Sequence, residues 1–117
     1  MRTIALIAII MGSGITHIEY RTFANNQLTS LTIGNEVTHI GERAFFYNLI
    51  ESVIIPDNVT RIDREAFREN RITSITIGSN VSIDPLAFDS GFTSVYSTTG
   101  RRAGTFVYRN GTWGEAW

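Results

Sequence analysis

Apolar residues recur along this chain with a period of 22. Ile15, Val37, Val59 and Val81 are equally spaced, and Ile18, Ile40 and Ile62 stand three residues after the first three. Phe23, Phe45 and Phe67 keep the same interval. So do Leu28, Ile50 and Ile72, then Leu31, Val53 and Ile75, then Ile33, Ile55 and Ile77. All nineteen positions are apolar in a chain that is 43% apolar, an outcome with chance odds on the order of 10⁻⁷. A unit this short buries too little apolar surface to offset the entropy of ordering itself, so the units must stack and share one core.

The repeat divides the chain. Residues 15–36, 37–58 and 59–80 are full units, and 81–97 form a fourth with two short deletions, because Ile83, Phe88, Phe92 and Val95 arrive one or two residues early. Leu6, Ile9, Met11, Gly12 and Ser13 lie 66 residues before Ile72, Ile75, Ile77, Gly78 and Ser79, so residues 1–14 read as the second half of an incomplete coil. The same stretch, Met1-Arg2-Thr3 followed by an apolar run to Met11, also has the look of a short signal peptide. Residues 98–117 follow as a C-terminal capping hairpin. Thr105 to Arg109 and Thr112 to Trp117 flank Asn110-Gly111, a strong two-residue turn signal.

Within a unit, Leu31 and Ile33 alternate with Ser30 and Thr32, the period-2 pattern of a strand with one buried face. Val37 to Ile40 reads as a second, briefer extended segment. Glu42 to Tyr47 places Ala44 and Phe45 near one face of a helical turn.

Composition narrows the chemistry. Ten basic and eleven acidic residues give a net charge of −1, too weak a cationic field for nucleic acid to be the partner. Every basic residue is arginine, and cysteine and lysine are absent. Thiolate catalysis, disulfides, cysteine zinc sites and lysine Schiff bases are excluded. No apolar run approaches the ~18–20 residues of a transmembrane helix. We expect a non-enzymatic protein with no cofactor.

The run Ile50-Glu51-Ser52-Val53-Ile54-Ile55-Pro56-Asp57-Asn58-Val59-Thr60-Arg61-Ile62, followed by Ala66-Phe67, resembles the BspA-like, or treponemal-type, bacterial leucine-rich repeat. The likeness covers roughly residues 3–96, and Gly100 to Trp113 looks like the segment that often follows such repeats. The resemblance implies an α/β leucine-rich-repeat solenoid: β-rich, with short parallel strands stacked per coil, helical turns on the convex side and a hairpin cap. It also implies a secreted or cell-surface protein used for adhesion and protein binding, with a host or matrix protein as partner. Glu36 and Gly14 depart from the pattern where Asn58 and Asn80 fit it. Asn26, Asn48 and Asn70 fill a turn column that is often cysteine in relatives, where an amide can bond neighbouring backbone.

Four groups of residues are candidates for function. Ala8, Ser30, Ser52, Ser74 and Ser94 form one outward column on the concave strands. Ile10, Thr32, Ile54, Thr76 and Tyr96 form the other, with Ile54 and Tyr96 as the large anchors. This face is either a partner-binding surface or a solvated strand face chosen for β propensity. A carbohydrate platform built from Tyr96, Trp113 and Trp117 is the alternative reading. Ile4, Leu6, Ile7 and Ile10 would form an apolar open edge suited to a homodimer. Finally, His17, His39 and Arg61 share a column. With Glu19 and Glu42 as the only further ligands nearby, it reads as an exposed polar ladder and not a metal site.

Overall fold

The computed structural model describes residues 8–10 (backbone only), 14–89 and 91–116. Each full 22-residue unit is one turn of chain that contributes one short and one longer strand, and the described strands form three sheets. The shorter strands are β2 (His17–Ile18), β4 (His39–Ile40), β6 (Arg61–Ile62) and β8 (Ser82–Ile83), which pair in parallel in that order. Their register matches the sequence period: His17 faces His39, which faces Arg61, and Ile18, Ile40, Ile62 and Ile83 align behind them. The longer strands are β1 (Ala8–Ile10), β3 (Ser30–Thr32), β5 (Ser52–Ile54) and β7 (Ser74–Ile77). β1 pairs with β3 and β5 with β7, both in parallel, and β3 lies beside β5 without a strand ladder. Ile9 pairs in register with Leu31.

The third side of each coil is built from turns. Among the described residues no helix occurs there, which corrects the expected helical turns. The reason lies in the backbone: Arg21, Asn25, Arg43, Tyr47, Glu65 and Glu69 all have φ between 55° and 62°. These left-handed residues break any helical run and swing N–H groups along the stacking axis. Arg21, Phe23 and Asn25 donate to the carbonyls of Glu42, Ala44 and Phe46, and Arg43, Phe45 and Tyr47 donate to those of Arg64, Ala66 and Arg68. Neighbouring coils are therefore hydrogen-bonded on all three sides, which satisfies backbone groups that a turn would otherwise bury unpaired.

Inside, the repeat columns become ladders. Phe23, Phe45, Phe67 and Phe88 stack with ring centroids 5.4, 5.2 and 5.0 Å apart. Val37, Ile40, Ile50, Val53, Ile55, Val59, Ile62, Ile75 and Ile77 are among the other core residues.

The fourth unit departs from the expected coil. It keeps β8 and Phe88, but residues expected to continue the long-strand sheet form helix α1 (Phe92–Thr98), entered through Gly91 in the left-handed region. The vacant place beside β7 is taken by β9 (Gly104–Arg109), which runs antiparallel and places Phe106 opposite Ile75. β10 (Thr112–Glu115) completes the hairpin through Asn110 and Gly111, at φ 52° and 83°, the pair of positive angles that a tight hairpin turn requires. The hairpin thus extends a sheet as well as closing the core.

Candidate functional site

Alternation along the long strands sends Leu31, Val53 and Ile75 inward and leaves Ser30, Thr32, Ser52 and Ile54 exposed. Ile54 is 67% exposed, the most open of the large apolar side chains among the described residues. Small hydroxyl residues surround it: Ser52 pairs with Ser74, and Ile54 pairs with Thr76. Ser74 and Thr76 are half-buried because β9 lies against them, and the Thr76 and Thr105 hydroxyls bond to each other at 2.8 Å. The Ser52–Ser74 and Ile54–Thr76 pairs continue onto the hairpin as Val107 and Thr105.

Tyr96 does not belong to this face. It is 1% exposed, and its hydroxyl donates to the Gly78 carbonyl at 2.7 Å and accepts from the Val81 N–H at 3.1 Å. Extending the strand period through residues 92–97 placed Tyr96 and Ser94 outward, whereas the helix turns Tyr96 into the core. The spacing of Phe92, Val95 and Tyr96 carries the helical signal that identifies the segment. Trp113 is also buried, at 7% exposure, with its ring 5.2 Å from Phe92 and 5.5 Å from Tyr108. With Tyr96 and Trp113 inside the protein, the aromatic carbohydrate platform loses two of its three members, and Trp117 lies outside the described residues.

Of the apolar edge, Ile4, Leu6 and Ile7 lie outside the described residues, as does the side chain of Ile10. Among the described residues β1 is the outermost strand on that side.

The His17 and His39 rings stack 4.9 Å apart and within 11° of parallel, and the Thr16 hydroxyl lies 3.0 Å from His17 Nδ1. Arg61 continues the column, but its Nε donates to Asp63 Oδ1 at 2.7 Å. Among the described residues no group of three or more His, Asp or Glu side chains is placed to hold a metal ion.

The turn side carries mixed charge around Glu65. Arg43 Nε donates to its Oε1 at 2.7 Å, and Arg64 and Arg68 approach to 4.0 Å. The hydrogen bond from Arg43, reinforced by the surrounding guanidinium charges, holds the Glu65 carboxyl below the usual carboxylate range. Glu36, the departure from the asparagine pattern, reaches the preceding coil and accepts from the Gly14 N–H. Asn58 makes a comparable link by donating to the Asn35 carbonyl at 2.7 Å.

A family model described as the BspA type leucine rich repeat region matches residues 2–93 in six copies. Neither a curated protein nor a solved structure matches the chain.

Proposed function

The chain belongs to the BspA-type leucine-rich repeat family, and from that premise we propose that it is a non-enzymatic module for protein–protein binding, used in adhesion at the cell surface or after secretion. The observation that carries the reading is Ile54, a 67% exposed apolar side chain set among small hydroxyl residues on strands that are otherwise alternating and ordered. Solenoid proteins present ligands on such strand faces, and an isolated apolar anchor on a rigid, sterically open surface is the kind of residue that dominates binding. Ser30, Thr32 and Ser52 let a partner backbone approach closely, with Ser74 and Thr76 at the hairpin margin. No helix among the described residues is long and apolar enough to cross a membrane.

The test is surface plasmon resonance of the chain against a panel of extracellular-matrix proteins. Ile54→Asp is expected to weaken the strongest signal by roughly tenfold or more, the scale of a lost hot spot. Equal binding by the variant would move the site off this face. Self-association through the β1 side is a second proposal, resting on β1 as the outermost described strand. Light scattering at high micromolar concentration would show a dimer if it holds and a monomer if it does not.

A further inference from the structure

The third coil and the C-terminal hairpin meet imperfectly. Between the segment from Asn70 to Thr73 and the hairpin lies a cleft of about 280 Å³ walled by Phe67, Ile72, Phe88, Tyr108 and Trp113. The Tyr108 N–H donates to the Thr73 carbonyl at 2.9 Å, so the hairpin is fixed to the coil beside the opening. The Trp113 indole N–H is buried and has no hydrogen-bond partner among the described residues, which leaves one polar group of the wall unspent.

Charged groups at the mouth are unequal. Asp89 Oδ2 accepts the N–H groups of Glu69 and Asn70, and Oδ1 lies 3.8 Å from Arg68 Nε, so its charge is answered within the fold. The Asn70 amide is likewise committed to backbone, accepting from Ile50 and donating to the carbonyls of Phe45 and Phe67. Arg71 differs: its side chain is exposed and makes no ion pair or hydrogen bond among the described residues. A second hollow of about 360 Å³, reaching Tyr47 and Leu49, shares Asn70, Arg71 and Asp89 with the first. Arg71 therefore stands between two hollows. Glu69 lines the second, which disfavours further negative charge there and leaves the first as the side for an anion.

We propose that the cleft captures the carboxyl-terminal residue of a partner chain. An apolar side chain fills the space walled by Phe88, Tyr108 and Trp113, the terminal carboxylate pairs with Arg71, and the preceding uncharged residues run over the second hollow. An apolar recess beside one free cation selects a ligand that is apolar and singly anionic, and the second hollow favours a chain end over a compact small acid. This site is separate from the Ile54 face, and either can fail without the other.

The test is ¹⁵N NMR of the whole chain titrated with acetyl-triglycyl-leucine and acetyl-triglycyl-phenylalanine, each as the free acid and as the amide. Trp113→Phe assigns the indole reporter by deleting its signal. We expect the free acids to shift the Trp113 indole saturably, the amides to bind roughly tenfold more weakly, and Arg71→Gln to erase that difference. Arg71 is exposed, so this variant leaves the core intact. No movement of the Trp113 signal with any peptide, or equal binding of acid and amide, overturns the proposal. 3-Phenylpropionate binding as tightly as the peptides overturns the chain-end assignment.

Discussion

A single buried amide, that of Asn48, serves two coils at once. Its Oδ1 accepts from the Leu28 N–H, and its Nδ2 donates to the Phe23 and Phe45 carbonyls, all at 3.0 Å. Asn48→Ala takes the acceptor from the Leu28 N–H in a 3% exposed site and leaves the Phe23 and Phe45 carbonyls with only the Asn26 and Asn70 amides, so we expect a loss of about 2–3 kcal/mol by urea denaturation. Asn26 is half-buried and donates to the Phe23 and Ala24 carbonyls, so Asn26→Ala should cost only about 1 kcal/mol. Equal costs would mean that the bonds between coils are not what makes the column matter. Glu65 makes a prediction in pH. Its folded carboxyl titrates below its ordinary 4.5, so its contribution to stability is fully present above that value and is lost as pH falls through the lowered folded value. Acid titration of Glu65→Gln should therefore show a shallower decline below 4.5 than the parent, and an unchanged slope would contradict the assignment. The asparagine column was legible as polar residues at a fixed interval inside an apolar pattern. The left-handed positions Arg21, Arg43 and Glu65 were not, because none is a glycine and the demand for positive φ comes from bonds to the next coil.

At the scale of elements, the phenylalanine stack and the hairpin meet at Phe92. Its ring packs edge-on against Phe88 at 5.1 Å, Phe106 at 5.4 Å and Trp113 at 5.2 Å. Phe106 is fully buried and sits on the strand that covers β7, so Phe106→Ala should cost about 3–5 kcal/mol and loosen the hairpin as a unit. Calorimetry reads the first effect, and rapid exchange of the β9 amides reads the second. A mild loss would show that the coils hold the core without their cover. The hairpin's turn was plain from Asn110-Gly111, since few other pairs tolerate two successive positive φ values. Its docking on β7 was not, because antiparallel pairing with a strand of different origin leaves no echo in the repeat. The same blindness misplaced Tyr96: a periodic argument carried past its last true unit assigns faces to residues that no longer follow the period.

Across the whole molecule, burial is graded from coil to coil. In the first full coil Ile15 is 42% exposed and Phe23 is half-buried, whereas their equivalents Val37 and Phe45 in the second are fully covered. Linear arrays owe their stability to nearest-neighbour interfaces, so local opening should cost least at the β2 coil and most near β6. Hydrogen exchange should find the Thr38 amide, bonded to Thr16, less protected than the Ser82 amide, bonded to Thr60. Uniform protection would indicate one cooperative unit. The reversal of chain direction at β9 also bears on how such a protein can lengthen. Duplicating an interior unit in frame, residues 37–58 for instance, inserts a coil that finds matching parallel strands on both sides. A unit grafted beyond β10 would find a partner strand on the long-strand side alone, because among the described residues the hairpin adds nothing to the short-strand sheet beyond β8. Duplication within the array therefore preserves the stacking of neighbours on every side of a coil, whereas addition past the hairpin does not.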